Sequence, residues 1–87
     1  MKVSIYSIQN TLYEGDAEKL IIKTPMGEIA VLENHLPIVS KVIGPSAKII
    51  DKNKKEHTIK LSSGFIEVRH QETGGESRVV ILAEGEK

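Results

Sequence analysis

Apolar residues recur along this chain in short runs that alternate with clusters of polar and turn-forming residues. The apolar runs cover residues 3–8, 20–23, 28–32, 38–43, 47–50, 58–61, 65–68 and 79–83. Turn-forming clusters separate them at residues 10–11, 14–16, 44–46, 51–56 and 71–76. The runs are rich in Val and Ile, which favour strands. This spacing predicts an all-β sandwich or barrel.

One segment, residues 16–23, is compatible with either a strand or a short helix. Ala17, Leu20 and Ile21 fall at helical spacing, and Asp16 could act as a helix N-cap. A strand is favoured because Ile21 and Ile22 are β-branched and because Pro25 leaves room for only about two helical turns. No segment predicts a long amphipathic helix.

Residues 24–40 combine a turn, a short strand and a corner. Pro25 fixes φ and Gly27 tolerates a positive φ, so the Pro-x-Gly sequence predicts a chain reversal before the strand that begins at Glu28. Pro37 cannot donate to a sheet ladder, which predicts that His35 lies extended at a strand boundary or sheet rim.

Length and composition limit the possible classes of protein. The 87 residues are expected to form a single domain, and one Phe, two Tyr and no Trp require an aliphatic core. Lysine plus arginine equal aspartate plus glutamate at 12 each, so electrostatics predict no nucleic-acid or anionic-membrane partner. The chain has no cysteine, no signal-peptide pattern and no run long enough to span a bilayer. We therefore expect a soluble, unexported protein that does not insert into a membrane.

The residues that could carry catalysis or bind a metal lack suitable companions. His35, His57 and His70 do not have metal-ligand spacing, and neither Glu28 nor Glu67 has a nucleophile beside it in sequence. We predict no catalytic residue, no metal site and no cofactor. For His35, the alternative to a catalytic or metal-binding role is that of a structural histidine at the sheet rim.

Glycine and lysine patterns have equally plain interpretations. Ser62-Ser63-Gly64 does not match a nucleophile elbow, and Gly64 is better explained by a bulge or by the close approach of another backbone. Lys52, Lys54 and Lys55 predict a solvated hairpin tip rather than a phosphate site, and no Gly-rich loop is present for nucleotide binding.

Several motifs taken in order give the chain a family resemblance. They are Tyr13-Glu14-Gly15, Gly27-Glu28, Leu32-x-x-His35-x-Pro37, Ser62 to Val68, and Val80-Ile81-Leu82-Ala83-Glu84. Together they resemble the amino-terminal β-sandwich domain of the epsilon subunit of F-type ATP synthases, over about residues 3–84. Ala30 and Glu33 depart from the usual Gly and Pro of that family, and Ser63 stands where a second Gly is usual.

The resemblance implies both a fold and a function. The fold would be a flattened sandwich of two antiparallel sheets with about ten short strands and no substantial helix. The function would be that of a non-catalytic rotor subunit in the central stalk, which links the gamma subunit to the c-ring and supports coupling of ion flow to ATP synthesis. The family's carboxy-terminal helical hairpin has no counterpart in these residues.

The resemblance also implies which surfaces meet partners. Glu28, His35, Leu36 and Pro37 would lie at the end that touches the polar loops of the c-subunit ring. Exposed aliphatic side chains would cluster on one sheet face, which the gamma subunit covers. The protein would lie at the cytoplasmic face of a bacterial plasma membrane, held there by the complex.

A second hypothesis is a free-standing β-sandwich adaptor or ligand-binding module that shares only the scaffold, since a fold does not determine a function. An enzyme is the third and weakest hypothesis.

Overall fold

Seven β-strands make up the regular structure of the chain in a computed structural model, which describes residues 1–33, 37–70 and 77–84. The strands are β1 (Lys2–Tyr6), β2 (Thr11–Thr24), β3 (Gly27–Leu32), β4 (Ile38–Asp51), β5 (Glu56–Lys60), β6 (Ser63–Arg69) and β7 (Arg78–Glu84). These residue ranges contain no helix. The predicted all-β class is confirmed, and the helical alternative for residues 16–23 is wrong because that segment lies inside β2.

Two long strands, β2 and β4, connect two layers. The ladder runs in the order β3-β2-β1-β7-β6-β4-β5 and closes through an additional pairing of β2 with β4. The first part of β2 pairs with β1 and its second part with β3, while the first part of β4 pairs with β6 and its second part with β5. One layer, the first sheet, is therefore β3-β2-β4-β5, and the other, the second sheet, is β2-β1-β7-β6-β4. Every pairing is antiparallel except that of β1 with β7.

The structure has seven strands where about ten are expected, in part because two predicted turns lie within strands. Residues 14–16 belong to β2 and residues 44–46 belong to β4. At Gly44 and Pro45, β4 changes partner: the Gly44 N–H donates to the Ser62 carbonyl at 2.7 Å, and the Pro45 carbonyl accepts from the Leu61 N–H at 3.0 Å. Strand β4 can continue through Pro45 because the ladder uses the carbonyl of this residue as an acceptor and needs no N–H from it. The predicted turn at residues 71–76 lies outside the described residues.

Aliphatic side chains fill the space between the two layers, as the composition predicts. Alternate residues of most strands point inward, which is the period expected of strands with one covered face, whereas β1 has three consecutive buried residues, Val3, Ser4 and Ile5. The buried hydrophobic residues are Met1, Val3, Ile5, Ala17, Leu20, Ile22, Val31, Val42, Ala47, Ile49, Leu61, Ile66, Val68, Val79, Ile81 and Ala83.

Glu33 connects three distant parts of the chain. One carboxylate oxygen lies 2.6 Å from the fully buried amino group of Met1, and the other accepts a hydrogen bond from the Ser77 N–H at 3.0 Å. The Met1 amino group also donates to the Ala17 carbonyl at 3.0 Å. The hydrogen bond from the amino terminus, followed by that from Ser77, lowers the pKa of Glu33 from 4.5 to about 2. Glu33 is thus an acceptor for two donors near the start of β1 and of β7.

Gly64 lies where β6 and β7 approach each other closely. A Cβ at this position would overlap the carbonyl oxygen of Leu82 and would lie 3.0 Å from the Cα of Ala83. Both neighbours are backbone atoms of a paired strand, so they cannot move aside independently. The predicted close approach of another backbone at Gly64 is confirmed.

Replacing Glu33 with glutamine should destabilise the fold in a pH-dependent way. The lowered pKa means that ionised Glu33 stabilises the fold above pH 4.5, and that this contribution is lost as the pH falls towards 2. Because the side chain is 44% exposed, solvent screening reduces the loss at pH 7 to about 1 kcal/mol. Urea unfolding of both proteins between pH 7 and pH 2 measures the difference. Glu56→Gln is the control, and an E33Q deficit that does not shrink at low pH would contradict the ion pair.

Replacing Gly64 with alanine should cost about 2 kcal/mol of unfolding free energy, because the new methyl group overlaps paired backbone. Gly15→Ala is a matched control, since the nearest atom to its added Cβ is the movable Tyr13 hydroxyl at 3.2 Å. Denaturant unfolding of the two variants side by side checks the expectation. Equal losses in the two proteins would show that backbone contact at Gly64 is not the cause.

Candidate functional site

The turn at residues 24–27 sets the position of Glu28. The Met26 N–H donates to the Thr24 hydroxyl at 3.1 Å, and that hydroxyl donates to the Gly27 carbonyl at 2.9 Å. Gly27 has a φ of 122°, a conformation that favours glycine, so the predicted Pro-x-Gly reversal is confirmed. Glu28 follows as an exposed residue of β3, opposite Lys23 of β2.

Pro37 is exposed and immediately precedes β4. It lines an open cleft of about 440 Å³ together with Val39, Arg69, His70 and neighbouring residues of β4 and β6. His35 and Leu36, the other two residues predicted for this end, lie outside the described residues. Of the predicted c-ring residues, only Glu28 and Pro37 can therefore be located.

A second surface, the apolar patch, consists of Val39, Phe65, Val80 and Leu82 on the outer face of the second sheet. Phe65 of β6 pairs with Leu82 of β7, and in the next row Glu67 lies between Val39 of β4 and Val80 of β7. Val39 is 76% exposed, Leu82 55% and Phe65 44%. The four side chains surround a shallow depression of about 300 Å³.

Charged residues lie beside the apolar patch and, in the case of Glu67, between its members. Lys41 pairs with Phe65 across β4 and β6, and the Glu67 carboxylate accepts from the Arg69 guanidinium at 3.0 Å. A contiguous group of exposed apolar side chains accompanied by charged residues is typical of a protein-docking surface. The aliphatic cluster expected on one sheet face is thus present, although exposed Ile8, Met26 and Leu32 lie elsewhere.

Polar side chains also meet at the hairpin between β4 and β5. One oxygen of Asp51 accepts from the N–H groups of Asn53 and Lys55, and the other lies 2.9 Å from Nε2 of His57. The hydrogen bond with His57, followed by that from Lys55, lowers the pKa of Asp51. The arrangement closes a hairpin whose lysines are exposed, which agrees with the predicted solvated tip. The sequence motifs did not indicate this Asp–His pair, because an acceptor six residues before a histidine is not a recognised signal.

The carboxylates considered for acid–base chemistry are not brought together. Glu28 belongs to β3 of the first sheet, whereas Glu67 belongs to β6 of the second sheet and pairs with Arg69. Among the residues with described positions, no group of three His, Cys, Asp or Glu side chains could hold a metal ion. In the same part of the chain, no helix meets the length and hydropathy needed to cross a membrane.

Comparison with known proteins identifies relatives of the chain. Residues 1–85 match the family described as "ATP synthase, Delta/Epsilon chain, beta-sandwich domain". The ATP synthase epsilon chain of Shouchella clausii is 41% identical over 70 residues, which cover 79% of this chain and 51% of that protein. The epsilon chain of Brevibacillus brevis is 33% identical over 84 residues, covering 97% and 59%. The chain therefore spans between half and three-fifths of the length of these relatives.

Solved structures show the same fold at low sequence identity. A chain in the cryo-EM structure of the Euglena gracilis mitochondrial ATP synthase, with OSCP, F1 and c-ring, matches with a TM-score of 0.76 and 22% identity, covering 93% of this chain and 48% of that one. A chain of the Tetrahymena thermophila central stalk and c-ring matches with a TM-score of 0.65 and 13% identity, covering 94% and 63%.

Proposed function

The chain belongs to the ATP synthase delta/epsilon family, and from this membership we propose that it is a non-catalytic, epsilon-type subunit of the central stalk of a bacterial proton-translocating ATP synthase. In this proposal residues 1–87 act as one docking module. The subunit links the gamma subunit to the c-ring and supports the coupling of ion flow to ATP synthesis without breaking a bond itself. The observation that carries the proposal is the apolar patch, joined to the family match.

The gamma subunit is the proposed occupant of the apolar patch. Three apolar side chains that are 44–76% exposed lie together on one sheet face. Single exposed apolar residues are common on protein surfaces, but a contiguous group of them is a feature of interaction sites. A stable subunit contact would bury them and gain about 25 cal/mol for each Å² of apolar surface removed from water. Lys41 and Arg69 would then form part of the polar rim, and Glu67, paired with Arg69, would lie between Val39 and Val80 within the contact.

The polar loops of the c-ring are the proposed contact for Glu28, His35, Leu36 and Pro37. Pro37 and Val39 line the same cleft, so the Pro37 corner is continuous with the apolar patch. A subunit that touches gamma through the apolar patch could therefore also reach a second partner at the adjacent corner. In this proposal the protein lies at the cytoplasmic face of the plasma membrane, held there by the complex.

The closed ladder suits a mechanical role. β2 and β4 each take part in both sheets, so force applied to one sheet passes to the other through continuous backbone and its hydrogen bonds. No hinge between the layers is needed to connect the two surfaces. A stiff module of this kind would keep the gamma subunit and the ring in register as they turn together.

Introducing a charge into the apolar patch should weaken binding to gamma. We expect Val39→Asp and Leu82→Asp each to reduce affinity by at least about tenfold, because an unpaired carboxylate would be buried in the contact. Titration calorimetry against the gamma subunit of the same complex measures the effect, with circular dichroism to confirm folding. Thr58→Asp is the control because Thr58 is exposed on the first sheet. If the wild-type chain is folded and does not bind gamma, the central-stalk proposal is wrong.

Replacing Glu28 and His35 together with alanine should reduce proton-driven ATP synthesis by the assembled complex while leaving the sandwich folded. Synthesis should fall because both residues would touch the c-ring loops. The sandwich should stay folded because Glu28 is exposed and forms no ion pair within the described part of the chain. Synthesis driven by an imposed proton gradient in reconstituted vesicles is the measurement. Glu56→Ala on β5 serves as the control. Normal synthesis by the double variant would show that Glu28 and His35 do not contribute to the ring contact.

A further inference from the structure

The outer face of the first sheet carries a regular arrangement of lysines and isoleucines, here called the lysine face. Strand alternation places Lys19, Ile21 and Lys23 of β2 on this face, and the β2–β4 register adds Lys48 opposite Ile21 and Ile50 opposite Lys19. Lys60 of β5 joins them through its pairing with Ser46. The inward side of the same strands is formed by buried aliphatic residues that include Leu20, Ile22, Ala47 and Ile49.

The lysines of this face have no ionic partners within the described chain. The ion pairs found there join Glu33 to the amino terminus, Glu18 to Lys54, Asp51 to His57 and Glu67 to Arg69. The lysine face has two carboxylates, Glu28 and Glu56, against its four lysines. A chain with a net charge of zero therefore carries a local excess of positive charge on one side.

Apolar surface lies among the positive charges. Ile21 and Ile50 are only partly buried, and each faces a lysine across the β2–β4 pairing. A partner that supplied carboxylates alone would leave these isoleucines in contact with water. A partner that alternates carboxylates with apolar side chains would satisfy both kinds of residue.

We propose that the lysine face binds an acidic amphipathic helix of a partner protein. Lys19 and Lys23 are four residues apart on one strand, which corresponds to about 13 Å at the strand rise of about 3.3 Å per residue. Carboxylates eight residues apart on a helix are separated by about 12 Å, with one apolar residue halfway between them on the same face. Such a helix would place its carboxylates near Lys19 and Lys23 and its apolar residue over Ile21.

This surface is separate from the one assigned to gamma. The apolar patch belongs to the second sheet and the lysine face to the first, and the aliphatic core lies between them. Both surfaces can therefore be occupied at once. Nucleic acid and anionic lipid fit the lysine face less well, because Glu28 and Glu56 would repel a continuous line of phosphates.

The test is a titration of the labelled 87-residue chain with a synthetic helical peptide that has glutamates eight residues apart and leucines between them. Backbone NMR shifts should move at Lys19, Ile21 and Lys48 and remain unchanged on the apolar patch. We expect Lys19→Glu combined with Lys48→Glu to weaken binding by at least about tenfold. The milder pair Lys19→Gln and Lys48→Gln should weaken it less, and it keeps the test valid if the charge reversal unfolds the chain.

The matched control is Lys52→Glu with Lys55→Glu, which makes the same change of charge at the exposed hairpin tip. Equal weakening by the control would show general charge attraction and would overturn the proposal. Binding of heparin as tightly as the glutamate peptide would overturn it in favour of a polyanion ligand. Self-association of the chain through the same residues, seen by sedimentation without peptide, would assign the face to a second copy and would also overturn it.

Discussion

The structure depends on the pairing of β2 with β4. Each of these strands is 14 residues long and belongs to both sheets, and their direct pairing from Ala17↔Asp51 to Lys23↔Ile43 closes the ladder. This pairing brings Leu20 opposite Ile49 in the core. Because the side-chain period of a strand is two, the same register determines which residues of each strand face outward. Part of the core and the outer face of the first sheet are therefore consequences of this one backbone alignment.

The registers of two ladders explain why two faces of one small protein differ in chemistry. On the second sheet, outward positions of β6 and β7 bring Phe65 beside Leu82, whereas on the first sheet the outward positions of β2 and β4 bring Lys48 beside Ile21. A slip of one residue in either ladder would turn core residues out to water. The apolar patch of the second sheet suits a partner that removes apolar surface from water, and the lysine face of the first sheet suits one that supplies negative charge.

Local sequence determines much of this fold, but not where the strands end. Val and Ile runs, the Pro-x-Gly turn and the aliphatic composition were sufficient to predict the all-β class, the reversal at residues 24–27 and the kind of core. Gly44-Pro45 was predicted to reverse the chain, because a Gly-Pro pair looks the same in sequence whether the chain turns or a strand changes partner. The Glu33 ion pair joins residues far apart in sequence, so no local pattern indicates it. The apolar patch was expected as a feature, but its members could be named only from the register of three strands.

The parallel pairing of β1 with β7 has a consequence for how the protein is made. Lys2 to Tyr6 lie beside Arg78 to Leu82, so β1 cannot complete its pairing until β7, which follows it by more than 70 residues, has been translated. Until β7 emerges, that edge of β1 exposes unpaired backbone groups, which are a template for unwanted association. Contacts between residues so distant in sequence also slow folding. The sheet of the nascent chain therefore remains incomplete, and its free edge accessible to chaperones, until nearly the whole sandwich has been translated.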